Sequence, residues 1–205
     1  MENANTREEI LEIALEMFSV NGYEATSISQ IADAVGIRKA SLYSHFGSKQ
    51  DILDNVVEDV LRGYDEHSIF VSADWDDPGF TEDKEGMTAE DAAEMIRTQA
   101  GYMIHDPAIS RGRKMLMIEQ FRNQELSELH TRLNYEDVLK YFEGMISFLI
   151  RSKVLRDADT EIMAAQLALP VTVWINLCDR EPDREKEVME LVHRHVLQFF
   201  GMYAG

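Results

Sequence analysis

Between Ile37 and Gln50 the chain carries Arg38, Lys39 and Lys49, one histidine, His45, and no acidic residue. The whole protein has a formal net charge of −18, so this is a basic island on an acidic body. Such an island suits the neutralisation of phosphates. The flanking residues are spaced to hold it in place. Ser27 with Gln30 three positions on fits a capping box opening a helix. Ile28, Ile31, Ala32 and Val35 then recur at helical spacing as an apolar stripe. Gly36 sits where the chain must turn sharply, which a residue free to take positive φ does at little cost. A second helix, roughly Arg38 to Ser44, would expose Arg38, Lys39 and Ser41 and turn Leu42 inward. That is the layout of a helix-turn-helix, whose second helix enters the DNA major groove.

Residues 26–49 also closely resemble the N-terminal domain of the tetracycline-repressor (TetR) family of bacterial regulators. Thr26, Ile31-Ala32, Gly36, Ser41-Leu42-Tyr43, His45-Phe46, Ser48-Lys49 and Leu53 carry the resemblance, without a gap in their spacing. It implies that Thr26, Tyr43, His45 and Lys49 hold phosphates while Arg38, Lys39 and Ser41 face base edges. The chain departs from the family where Ser or Thr usually opens the reading helix, which here is Arg38, and where a Gly or small residue is usual, which here is Ala40. Arg38 gives up a side-chain cap but adds a long donor able to reach a base or a phosphate. Operator preference therefore does not transfer from relatives, whereas the docking mode does. Repressors and activators share these motifs. Beyond the first 60 or so residues the resemblance is one of architecture only.

At 205 residues, 45% hydrophobic and 28% charged, the chain can build one large core or two small domains. It has no apolar run of membrane-spanning length, and its acidic N-terminus does not read as a signal peptide. One cysteine, Cys178, excludes an intramolecular disulfide and fits a reducing compartment. A cytoplasmic protein with no membrane partner is expected.

The elements read as all-α, with about nine helices. Thr6 with Glu9 caps the first, and Asn21-Gly22 ends it. Ser48 with Asp51 caps a fourth, whose stripe runs from Ile52 to Leu61. Residues 72–86 are acidic, with one Pro and two Gly, and read as an exposed loop lacking the ligand spacing of an EF-hand. Thr88 caps a helix to about His105, and Asp106-Pro107 breaks it. Helices follow from Pro107 to Phe121 and from Leu126 to Ser152, the start of the latter imperfect. Asp159-Thr160 opens a penultimate helix to Cys178, with Pro170 expected to kink it, and Arg184 to Met202 is the last. Residues 1–65 are expected to form the DNA-binding domain and 66–205 a ligand-binding and dimerisation domain.

Enzyme chemistry fails on spacing. There is no P-loop, G-x-G-x-x-G, H-E-x-x-H or G-x-S-x-G. Glu190-x-x-His193 occurs once, where a di-iron bundle needs it twice, and reads as a surface pair. Cys178 has no cation within the preceding turn and reads as packed. His105 ends a helix, where the dipole favours it. No catalytic residue, metal site or cofactor is expected.

The Met and aromatic residues of the middle region suit a core, and as a set also suit an apolar cavity. The resemblance tips this toward a small apolar effector, with Tyr102, Met117, Phe121 and Trp174 as its wall. The last two helices would pair across a twofold axis. One offers Ala165, Leu169, Val173 and Leu177, and the other Val188, Leu191, Val192, Val196 and Phe199. The implied partners are double-stranded operator DNA, the effector and a second copy of the chain. A ligand-independent or activating regulator, a helical carrier and a protein-binding module are the competing classes.

Overall fold

The computed structural model describes residues 2–67 and 73–205, so Ser72, the first residue of the expected acidic loop, lies outside them. Helix α1 (Glu2–Asn21) starts upstream of the expected Thr6 cap. It ends at Gly22, which takes φ +81°. Helix α2 (Ile28–Val35) opens on the Ser27–Gln30 box, with both reciprocal bonds formed. It closes in a Schellman turn: Gly36, at φ +79°, donates to Asp33 O, and Ile37 donates to Ala32 O. Helices α3 (Lys39–His45) and α4 (Lys49–His67) follow. Replacing Ser27 with Ala should cost about 1 kcal/mol of stability, and with Gly only a few tenths. Urea unfolding of the two variants checks this, and a Ser27→Ala chain as stable as the wild type would show that the cap bond is not what matters.

Beyond α4 come α5 (Pro78–Thr81) with a 3₁₀ turn Glu82–Lys84, then α6 (Ala89–His105), α7 (Pro107–Glu119) and α8 (Gln124–Thr131). A π-helical turn, Arg132–Glu136, joins α8 to α9 (Asp137–Arg151), which accounts for the imperfect start expected of that long helix. Helix α10 (Thr160–Cys178) is capped by Asp159 and continues through Pro170. A 3₁₀ turn, Pro182–Arg184, leads to α11 (Glu185–Tyr203). No strand occurs among the described residues, only an isolated bridge between Leu155 and Ala204.

The helices gather into two compact units. The first takes Met1–Glu66 together with Pro107–His130, and the second takes His67–Asp106 with Thr131–Gly205. Helices α7 and α8 group with the N-terminal helices in the first unit. The first unit's core is Ile10, Ala14 and Phe18 of α1, with Ile31, Leu42, Phe46, Ile52, Val56, Ile109 and Leu116.

In the second unit α6 and α11 run antiparallel. His105 at the end of α6 meets Glu185 at 2.9 Å, and His193 meets Glu90 near its start at 2.7 Å. Between these pairs α6 buries Ala93, Ile96, Ala100 and Met103. Helix α11 buries Val188, Val192, Val196 and Phe199. This corrects the expected dimer face. Those four α11 side chains are already packed inside their own chain and have no surface left for a partner. Val173, by contrast, is 62% exposed on α10, and Ala165, Leu169, Leu177 and Leu191 are half-buried.

Two other expectations change. The acidic segment is not simply an exposed loop. Trp75 is buried, edge-on to Phe80 and Tyr141, and Gly144 leaves room for its indole against α9. Helix α10 is also long and apolar enough by composition to span a bilayer. Met163, Ala164, Leu167, Ala168, Val171, Ile175 and Cys178 are nevertheless buried along one face of it, as in a core helix.

Candidate nucleic-acid interface

Helix α3 buries only Leu42. Arg38, Lys39, Ser41 and Tyr43 are exposed, and His45 is half-buried in the last turn. Arg38 occupies the N-cap position with extended backbone and no side-chain cap bond, so its guanidinium is left to reach outward. Neither Arg38 nor Lys39 spends its side chain on another described residue. Ser44 instead donates back to Ser41 O at 2.6 Å, which closes the helix. The N-terminal end of a reading helix is the part that meets base edges, and here that end carries both free cations.

Two residues expected to hold phosphates do something else. Thr26 is 1% exposed, and its hydroxyl donates to Gly22 O at 2.9 Å. Lys49 donates from Nζ to Tyr23 O at 2.9 Å and to Thr26 O at 3.1 Å, and lies 4.0 Å over the Tyr23 ring. Both side chains therefore brace the turn between α1 and α2 from inside the domain. Sequence spacing places a side chain near the DNA-facing turn but does not say which way its donors point. The island's exposed charge is correspondingly smaller than three cations.

The hub of this bracing is Tyr23, which the sequence reading passed over. Its ring packs edge-on to Phe18, and its hydroxyl donates to Gln50 Oε1 at 3.2 Å. Burial first, then the carboxylates of Glu24 and Asp54, hold its phenol above the ordinary range, so it stays a donor. Arg7 was also missed. Its guanidinium sits 5.0 Å over the Phe46 ring and donates to Asn55 Oδ1, tying α1 to the end of α3 and to α4. No local sequence signal marks the contacts of Tyr23 with Gln50 and Lys49 or of Arg7 with Phe46 and Asn55, because these partners lie 26 to 48 residues away.

The residues expected to wall an effector site are divided between the two units. Phe121 stands 89% exposed beyond the end of α7. Met117 and Phe121 fall in the first unit, and Tyr102 and Trp174 in the second. The second unit holds two open grooves of about 530 Å³ each. One lies against α9 beside Trp75 and is rimmed by Asp74, Asp76, Asp137, Lys140 and Arg151. The other runs between α10 and α11 past Pro170, His195 and Met202. None of the four expected residues lines either.

The profile of the family described as bacterial regulatory proteins, tetR family, matches residues 10–56. The repressor KstR2 of Mycolicibacterium smegmatis is 43% identical over 58 residues, which is 28% of this chain and 28% of that protein. The chain thus matches about a quarter of the length of its curated relatives. Solved structures agree over nearly the whole length. The TetR-family regulator PfmR of Thermus thermophilus is 25% identical at TM-score 0.61, covering 92% of this chain and 97% of that one. SmeT of Stenotrophomonas maltophilia, in complex with triclosan, is 21% identical at TM-score 0.66, covering 98% and 92%. Residues 10–56 are thus similar to the N-terminal domain of TetR-family bacterial regulators, and the chain over nearly its whole length has a helical fold similar to that family's solved structures.

Proposed function

We propose that the protein is a DNA-binding transcriptional repressor of TetR type. It acts in the cytoplasm as a homodimer and leaves a double-stranded operator when a small apolar effector binds. The observation that carries this reading is α3, a short helix that buries one leucine and presents Arg38, Lys39, Ser41 and Tyr43 outward. No described residue engages the side chains of the first two of these. A lone reading head binds weakly, and helix-turn-helix dimers set two heads about 34–36 Å apart, or a multiple of that. The exposed apolar residues Ile162 and Val173 on α10 supply a surface for pairing, with Leu169 and Leu177 beside them. The effector is supported by the SmeT–triclosan complex, which shares this fold.

The test combines sedimentation with mobility shift on duplexes selected from a random library. The wild type should sediment as a dimer and retard a two-half-site duplex. Val173→Glu should shift it toward monomer and weaken binding. A lipophilic screen should turn up a compound that lowers operator affinity roughly 5- to 150-fold, the usual span of such coupling. A monomer that selects no duplex would sink the whole proposal, and a dimer that no compound releases would remove the effector from it.

A further inference from the structure

Glu119 is the last residue of α7 and is 1% exposed. A carboxylate there is doubly unfavourable, because burial penalises its charge and the helix C-terminus repels it. Something specific must hold it. Its Oε1 accepts the backbone N–H of Tyr23 at 2.8 Å, 96 residues away in sequence. Gly22 permits the approach. A Cβ on that residue would lie 2.8 Å from Glu119 Oε1 and 3.1 Å from Ile118 Cγ2, and its φ of +81° excludes most other residues. The next peptide is held from the other side, since Tyr23 O accepts from Lys49 at the start of α4. Lys49 also grips Thr26 O, one residue before the Ser27 cap of α2. The α1–α2 turn is therefore clamped between a carboxylate of α7 and an ammonium of α4, and α2 and α3 start from that turn.

We propose that Glu119 is a positioning residue for DNA binding: by fixing the Tyr23 amide it sets the α1–α2 turn, and with it the placement of α3. This rests on the DNA-binding reading above. It predicts that a residue more than 60 positions beyond the matched N-terminal segment controls operator affinity without touching DNA.

The experiment uses the full chain and a duplex selected by the wild type, titrated by fluorescence anisotropy well below the melting temperature. Active fractions are fixed by stoichiometric titration. Glu119→Ala should bind at least tenfold more weakly, and Gly22→Ala, which displaces the carboxylate and also strains the turn at its positive φ, should be at least as weak. Glu119→Gln keeps an acceptor of the same reach and should bind within threefold of wild type. The Gly22→Ala, Glu119→Ala pair should be no weaker than Gly22→Ala alone by more than threefold, because the carboxylate contact is already lost there. Hydrogen exchange at the Tyr23 amide should quicken at least tenfold in Glu119→Ala while the α10 amides keep their rates. A merely destabilised chain would quicken both. The proposal is overturned if Glu119→Ala binds within threefold of wild type, or if Glu119→Gln is as weak as Glu119→Ala. Should Glu119→Ala not fold, Gly22→Ala carries the same decision. A wild type that selects no duplex removes the DNA-binding reading itself, an outcome distinct from a wild type that binds alongside unaffected variants.

Discussion

A chain carrying Arg38→Ala and Lys39→Ala together should fold and dimerise as the wild type does, yet lose on the order of 100-fold or more in affinity for its selected duplex. Each side chain that reads a base is worth about 1–3 kcal/mol. Neither side chain engages another described residue, so stability should hardly move. The single variants separate two roles. A base reader relaxes preference at one position and leaves the salt dependence alone. A phosphate holder weakens all duplexes alike and lowers the salt slope by roughly one unit. Arg38 sits at the N-cap, where the helix end meets the groove, and is expected to behave as the reader. Anisotropy titrations across a salt series on matched and scrambled duplexes make the distinction. Unchanged affinity in the double variant would mean that α3 is not the reading helix.

The same two residues mark where sequence reading succeeds. The Ser27–Gln30 box, the Gly36 turn, the inward Leu42 and the uncapped Arg38 are local features, each decided within a few residues. So are the Asp159 cap and the Asp106–Pro107 break. These sufficed for the all-α class and for the place and exposed face of α3. What failed was everything that needs a distant partner. Apolar spacing said that Val188, Val192, Val196 and Phe199 are buried, but not that α6 rather than a second copy covers them. Lys49 looked like a phosphate ligand, because its engagement with the carbonyls of Tyr23 and Thr26 depends on how α4 returns past the first turn. Phe121 looked like a pocket wall because it is aromatic and follows a helix of methionines, yet it projects past the helix end. Trp75 lies in a run of carboxylates that reads as solvated, and only Gly144, nearly 70 residues on, makes a place for its ring. Glu119 escaped notice for the same reason. One carboxylate at a helix end carries no pattern until Gly22 is seen against it.

The close approach of α7 to α4 gives the largest stability effect. Gly112 is buried in α7, and a Cβ there would lie 2.6 Å from Val60 Cγ1 and 2.9 Å from its Cγ2. Val60 is buried in α4 and β-branched, so it has one favoured rotamer in a helix and nowhere to swing. Gly112→Ala must therefore push the helices apart or force a strained side chain, at about 1–3 kcal/mol. Against this stands a gain of about 0.8–1.0 kcal/mol, because Ala is the better helix former. With two methyl carbons inside contact distance the steric loss should win, leaving a net destabilisation of up to about 2 kcal/mol. Removing the obstacle should reverse the sign. In a Val60→Ala background the Cγ atoms are gone and the new methyl partly fills the space they leave. Gly112→Ala should then be neutral or stabilising, with a coupling energy between the two sites of at least about 1 kcal/mol. Urea unfolding of the four chains at one protein concentration measures it, the concentration being held because dimer formation shifts apparent stability. Strict additivity would show that α4 and α7 are not pressed together at these residues. The clamp of Glu119 on Tyr23 would then lose the rigid seat that α7 gives it.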